Sequence, residues 1–174
     1  MKQFVNPFDY ADHICNALKK GVLITTASGE RVNTMTIGWG HLGVDWSRPV
    51  FIAYVRESRY TRTLLDEHGE FTINVPIDTF DSKILGYCGT KSGRDCNKIQ
   101  DMGLTLEVPE VISVPGIQEF PLTLECKVIY RQQQDLTAIP ADILNRYYPE
   151  DSTGFRDSHI CYYGEIVKAY LITN

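Results

Sequence analysis

Between positions 122 and 131, apolar Leu122, Leu124, Cys126, Val128 and Tyr130 alternate with Thr123, Glu125, Lys127 and Arg131. Side chains of a strand point to opposite faces in turn, so this period of two specifies a strand buried on one side. Residues 22–27 read as a second strand, Ser28-Gly29 as a turn, and residues 31–38 as its hairpin partner. The apolar run 50–55, the segment Glu70–Val75 stopped by Pro76, and residues 160–172 complete the set. Short helical stretches fall between these strands without the regularity of βαβ units. The chain is therefore expected to be mainly β, an antiparallel barrel with peripheral helices.

The helical stretches carry their own signals. Asn6 and Pro7 suit an N-cap and first helical residue, residues 8–20 place Ala11, Ile14, Cys15 and Leu18 on one face, and Gly21 ends the run. Gly40, Gly43 and Arg48-Pro49 mark a loop carrying both tryptophans, Trp39 and Trp46. Ser58 is placed to cap a helix holding Thr61, Leu64 and Leu65 and closed by His68-Gly69. Asp78 or Thr79 opens a helix through Leu85, followed by a loop over 89–93 and a short polar helix over 94–101 before Gly103. Residues 140–148 suggest one more helix. No internal repeat, linker or low-complexity tract interrupts the 174 residues, which are read as one domain, 1–174.

Composition narrows the function classes. A net charge of −5 and a pI near 5.3 argue against a general nucleic-acid binder. The N-terminal Met1-Lys2-Gln3-Phe4 lacks the apolar run of a signal peptide and no segment approaches transmembrane length, so a cytoplasmic protein without membrane contact is expected. Ten Tyr and seven Phe suit a β-rich core or a stacked ring ligand. Five Cys, at 15, 88, 96, 126 and 161, form no CxxC pair and are read as free thiols. His13, His41, His68 and His159 show no metal-like spacing, so no metal is expected.

Against this acidic background two hexapeptides stand out: Arg56-Glu57-Ser58-Arg59-Tyr60-Thr61 and Thr90-Lys91-Ser92-Gly93-Arg94-Asp95. Each joins two cations to short hydroxyl side chains. Arg offers a planar fork of donors, Lys a point charge, and Ser and Thr donors that approach closely. Gly93 lets a loop bend so that backbone N–H groups converge on an anion. Either stretch alone is also what a solvated surface near a turn looks like. Together with Trp39 and the hydroxyl-rich Thr34-Met35-Thr36 upstream, they favour a phosphate-bearing cofactor.

These residues, taken in order, resemble the flavin reductase-like, FMN-binding split-barrel proteins, and among them the flavoredoxin-like branch. The matching pieces are Asn33-Thr34-Met35-Thr36-Ile37-Gly38-Trp39-Gly40, Tyr54-Val55-Arg56-Glu57-Ser58-Arg59-Tyr60-Thr61, Glu70-Phe71-Thr72-Ile73-Asn74-Val75 and Gly86-Tyr87-Cys88-Gly89-Thr90-Lys91-Ser92-Gly93-Arg94-Asp95. Leu124-Glu125-Cys126 and His159-Ile160-Cys161-Tyr162-Tyr163-Gly164-Glu165-Ile166 complete the pattern, which spans nearly the whole chain.

The resemblance implies a homodimer of six-stranded split barrels with FMN near the dimer interface. Thr34, Met35, Thr36 and Trp39 would then border the isoalloxazine ring, although Trp39 as a plug at the barrel end is an equal alternative. Arg56, Ser58, Arg59, Tyr60 and Thr61 would serve the phosphate and ribityl chain, aided by the positive end of the helix near Ser58. Arg59 paired with Asp66 or Glu67, and Tyr60 packing on its helix, are the plainer readings. Lys91, Ser92, Gly93 and Arg94 would form a second clamp, while Asp95 caps or pairs with Arg94 and Asn74 satisfies a buried strand end. His159, the catalytic candidate, lies in similar proteins beside the flavin and the nicotinamide pocket.

Two functions of different class follow. One is an FMN-dependent oxidoreductase reduced by NAD(P)H that passes electrons to a small acceptor or a protein redox partner. The other is an electron carrier reduced by another protein. No GxGxxG follows a strand, so a nicotinamide donor would bind without a Rossmann domain. A phosphate-binding module without redox chemistry is the remaining alternative.

Overall fold

The computed structural model describes residues 1–77 and 80–173. Its strands are β1 (Lys2–Phe4), β2 (Val22–Ser28), β3 (Arg31–Ile37), β4 (Gly40–Asp45), β5 (Arg48–Arg56) and β6 (Glu70–Val75). The second half adds β7 (Leu106–Glu107), β8 (Gly116–Ile117), β9 (Leu122–Gln133) and β10 (His159–Ile172). The helices are α1 (Ala11–Leu18), α2 (Tyr60–His68), α3 (Ser82–Thr90), α4 (Lys98–Asp101) and α5 (Ala141–Tyr147).

All pairings of the main sheet are antiparallel, in the order β3-β2-β6-β9-β10-β5-β4, with β1 added alongside β10. Six strands, β3 through β5 along this path, make up the expected split barrel. The hairpin strand β4 and the short β1 enlarge the sheet to eight. The barrel interior is filled by Ile24, Phe51, Phe71, Ile73, Leu124 and Tyr162 with their neighbours.

Several local expectations are corrected. The segment with both tryptophans is a β-hairpin rather than a loop, and its two-residue turn is Trp46-Ser47 with φ of 47° and 57°. A two-residue turn of this type, with positive φ at both central residues, has a twist that matches the flanking strands. Here two residues with side chains accept the strain. The first helix begins with a separate 3-10 turn, Pro7–Tyr10, capped by Asn6, and Cys15 is exposed while Ile14 and Leu18 face the core. Arg59, not Ser58, occupies the N-cap of α2, without a capping side chain. The helix start expected at Asp78 or Thr79 lies outside the described residues; α3 is capped by Asp81, which accepts from Lys83 N, and runs on to Thr90. The polar helix expected over 94–101 is limited to α4, capped by Asn97.

The most informative correction concerns β9. Residues 122–126 are buried on both faces, Thr123 and Glu125 included. The outer face is covered by the segment 104–121, which carries the β7–β8 hairpin. Leu23, Leu104, Ile117 and Phe120 form a second apolar cluster there with α3 residues Ile84, Leu85 and Cys88. Threonine and asparagine side chains on that face find partners within the protein, whereas the buried Tyr170 hydroxyl makes no hydrogen bond among the described residues. The Thr25 hydroxyl lies 3.0 Å from Asn74 Oδ1 and 3.1 Å from the Thr34 hydroxyl, the Thr72 hydroxyl lies 2.8 Å from Pro115 O and 3.1 Å from Asn74 Oδ1, and Asn74 Nδ2 donates to Thr123 at 3.2 Å, each threonine having one proton to give.

Glu125 anchors the covering segment: its carboxyl group accepts from the backbone N–H groups of Glu110, Val111 and Ile112 at 2.6, 2.8 and 3.2 Å. Glu125→Gln turns one of those acceptors into a donor aimed at N–H groups. The variant is expected to lose about 2–3 kcal/mol, because buried donors left unpaired bear their full desolvation cost. Denaturant unfolding measures this; a stability equal to the parent protein would show that the anchor is not what holds the segment.

Candidate functional site

The site lies where the free edge of β3 meets the ends of β5 and β10. In an antiparallel pair, alternate residues direct their backbone groups toward and away from the partner strand. The Lys98 ammonium donates to Thr34 O at 3.0 Å, which marks Thr34 and Thr36 as the residues whose backbone groups face away from β2. The Thr36 amide is thereby left without a strand partner. The Thr36 hydroxyl is already engaged, donating to Leu85 O at 2.7 Å.

Two recesses follow this edge. The first, of about 150 Å³, is lined by the run 35–39 together with Tyr54, Arg56, Arg59 and His159. The second, of about 90 Å³, shares Met35 and Arg59 with it and adds Asn33, Ser58, Tyr60, Thr61, Lys91, Ser92, Gly93 and Lys98. One recess is framed by rings, the other by cations and hydroxyls.

Register explains the convergence. β10 pairs with β5 so that His159 lies opposite Arg56. The Arg56 guanidinium donates to Asp157 O at 2.7 Å and Tyr147 O at 2.9 Å, tying the chain after α5 to the end of β5. Trp39 meets Tyr147 edge-on at 5.4 Å and His159 at 4.8 Å between ring centroids. Trp39 is therefore a wall of the recess, 39% exposed, rather than a plug in the barrel core.

Most of the residues expected from the sequence gather here, with different tasks. Arg59 and Lys91 line the second recess, and among the described residues neither side chain makes a hydrogen bond or ion pair. The pairing of Arg59 with Asp66 or Glu67 does not occur: Asp66 is held by Arg62 and Arg131, and Glu67 by Arg31. Ser92 Oγ accepts from Arg94 N at 3.2 Å, which leaves its hydroxyl proton free to donate. Ser58 is bound through both its amide and its hydroxyl to the Asp157 carboxyl group. Thr61 lies buried beneath the recess and accepts from Asn33 Nδ2 at 2.8 Å. Gly93 sits so close to Asn33 that an added Cβ would fall 2.1 Å from Asn33 Oδ1 and 2.8 Å from the Tyr60 ring. A side chain there would push both out of place.

Two expected residues are placed elsewhere. Thr34 is fully buried, with its hydroxyl in the internal network, and lines neither recess. The Arg94 guanidinium turns back to donate to Ser58 O at 3.1 Å and stacks over the Tyr60 ring, so it braces the loop and borders a broader groove of about 380 Å³ beyond.

Sequence reasoning missed Lys98, Asn33 and Tyr54. Lys98 is only 4% exposed and donates to Thr34 O and Cys88 O, both at 3.0 Å. Two of its three protons are thus used, on carbonyls rather than on a carboxylate. Burial pulls its pKa below the ordinary value, and Arg59 adds to the effect. Its position in a polar stretch beside Asn97 gave no sign of burial. Burial raises the thiol pKa of Cys88 to about 11 and raises those of Cys126 and Cys161 as well, so these three are inert at neutral pH. Among the described residues no group of three His, Cys, Asp or Glu is placed to hold a metal ion, and no helix is long and apolar enough to cross a membrane.

Comparison with known proteins identifies the family and the fold. Residues 16–174 match the family model described as the flavin reductase like domain, and the chain belongs to that family. An uncharacterised protein of Archaeoglobus fulgidus is 33% identical over 117 residues, covering 67% of this chain but 65% of the relative, just under two thirds of its length. The flavoredoxin of Desulfovibrio vulgaris (Miyazaki F) superposes with a TM-score of 0.64 at 25% identity, covering 87% of this chain and 69% of that one. Nitrilotriacetate monooxygenase component B from Bacillus cereus superposes at 0.65 with 18% identity, covering 97% and 81%. The fold is that of the split-barrel flavin reductase-like proteins.

His159 is nearly buried, and burial together with the nearby Arg56 charge lowers its pKa from 6.5 to about 4, with Asp157 opposing. Between those values the unfolded chain binds the proton and the folded chain does not. Stability is accordingly full above the unfolded value and falls with pH toward 4, by about 3 kcal/mol in all. Urea unfolding at a series of pH values should show this slope, and His159→Gln should flatten it. An identical slope in the variant would assign the loss to other groups.

Proposed function

We propose that this protein is an FMN-binding oxidoreductase, in which electrons pass from NAD(P)H or a redox partner through the flavin. The observation that carries the reading is a pair of cations without partners among the described residues, Arg59 and Lys91, set beside the Ser92 hydroxyl in a recess that adjoins a ring-lined one. A terminal phosphate suits the first recess's neighbour and a flat ring suits the first.

The donor set fits that group. Arg59, Lys91 and Ser92 would hold the phosphate, and buried Lys98 would add a third positive charge from below. The Thr36 amide on the open β3 edge would meet the polar rim of the ring, with Trp39 and His159 bounding it. Gly93 keeps Asn33 and Tyr60 at their present spacing, and Arg56 ties the chain after α5 to the end of β5 beside the ring recess. A bound FMN supplies the redox chemistry, accepting two electrons from the donor and passing them on. The protein's part is to orient the ring and exclude water, so a catalytic triad is not required. Membership in the flavin reductase-like family and the likeness to a flavoredoxin support the reading.

Lys91→Ala and Arg59→Ala should each weaken FMN binding about ten- to a hundredfold, the equivalent of losing one charge-assisted bond of about 1.5–3 kcal/mol. Arg94→Ala should do less, since its guanidinium serves the loop. Fluorescence titration of FMN measures all three, and unchanged affinity in the first two would remove the second recess from the site. Anaerobic addition of NADH or NADPH to the FMN-loaded protein tests the enzyme reading. Bleaching of the flavin spectrum is expected; a flavin reduced only by a partner protein would make the chain an electron carrier instead.

A homodimer belongs to the same proposal. Trp46 at the β4–β5 turn, with Tyr130 and Tyr163 on the paired strands β9 and β10, forms an exposed cluster with ring centroids 5.0 to 6.3 Å apart. Neighbouring Val44 and Ile129 are exposed too. An apolar patch of this kind fits burial against a second copy. Sedimentation should give a dimer for the parent chain and a shift toward monomer for Trp46→Asp; a parent monomer would overturn it.

A further inference from the structure

Tyr148 is 3% exposed, and its hydroxyl stands between two partners: Gln134 Oε1 at 2.6 Å and His159 Nδ1 at 2.9 Å. A phenol has one proton to give. With the Gln134 carboxamide oxygen directed at Tyr148, that proton goes to Gln134, and His159 Nδ1 must then donate to the Tyr148 oxygen. The proton of the neutral imidazole is thereby assigned to Nδ1, which leaves a bare lone pair on Nε2.

The surroundings favour the same arrangement. His159 lines the ring recess together with Arg56 and Arg59. With Nδ1 turned to Tyr148, Nε2 faces away from it, and among the described residues no protein group hydrogen-bonds Nε2. A lone pair facing a recess with two guanidinium groups is electrostatically better than an N–H pointing into it. The ring has little freedom to turn over, because Trp39 at 4.8 Å and Tyr54 at 6.3 Å pack around it. The backbone assists: Gln134 N donates to His159 O at 3.0 Å, joining the end of β9 to the start of β10.

We propose that Gln134 and Tyr148 are positioning residues that fix His159 as a hydrogen-bond acceptor, so that its Nε2 receives an N–H from the planar ring ligand of the first recess. The assignment rests on the flavin reading above for the identity of that ring, but the direction of the relay does not. A protonated His159 would present a donor and a charge instead, as would the opposite tautomer present a donor. The site thus selects ring groups bearing an N–H over those offering only acceptors at that edge. Such selection follows because a donor set against a donor leaves both without a partner.

Nitrogen-15 NMR of the histidine side chains, with His159→Gln used for assignment, tests this on the whole protein at neutral pH. In the FMN-free parent chain the His159 proton is expected on Nδ1. Tyr148→Phe should lose that preference, whereas Gln134→Glu, which has acceptors and no donor, should retain it; the second variant also guards against a folding defect in the first. A parent protein protonated on Nε2, or a Tyr148→Phe variant with an unchanged tautomer, would overturn the relay. Addition of FMN should then shift the Nε2 resonance of the parent protein. Bound FMN without that shift would overturn the acceptor role. Failure of FMN to bind, with the tautomer as described, would overturn the flavin reading and leave the relay standing.

Discussion

A carboxyl group without access to water, Glu125, accepts three consecutive backbone amides from the segment that covers the sheet. That interaction decides the architecture of the outer layer. An antiparallel sheet ordinarily turns one face to solvent, and its strands then alternate cleanly. Here the covering segment makes β6 and the first half of β9 two-sided, so polar side chains on the outer face depend on protein partners. The Thr25–Asn74–Thr123 network meets that need across three adjacent strands. With β2 and β6 fixed from both sides, β3 is presented as a rigid free edge, and that edge forms the floor of the candidate site.

The site is assembled from pieces remote in sequence and made adjacent by register. His159 opposite Arg56, and Lys98 on Thr34 O, are separated by about a hundred and by sixty-four residues respectively. The cations divide into two populations. Arg56 and Arg94 are consumed by backbone carbonyls and hold loops in place, while Arg59 and Lys91 are left to face the recess. In a protein that is acidic overall, two such cations side by side raise the local concentration of an anionic ligand.

The strands were legible in the sequence wherever a period of two or a short apolar run was bounded by Gly or Pro. The β6 segment was read with its observed ends, and β3 and β10 within a residue. What failed had physical causes. Trp46-Ser47 carries none of the Asn or Gly that signals a tight hairpin, so the pattern of β4 reads as loop. The alternation of β9 gave no hint of a second covering layer, because the cover is supplied by a segment with little secondary structure. In the site, the ordered run of motif pieces located both recesses. It did not separate Arg59 from Arg94, since which guanidinium faces a ligand depends on where carbonyls such as Ser58 O fall. Lys98 was invisible because charge is normally a sign of exposure.

The strand β10 pairs with β1, β5 and β9, and it follows all three in the chain. During synthesis none of these ladders can form until β10 has left the ribosome, so β5 and β9 wait with open, apolar edges. Contacts this distant in sequence delay folding, and unpaired edges invite association with other chains in the interval. The nascent protein is thus exposed to aggregation until β10 is added, a hazard set by strand order and not by the stability of the finished barrel.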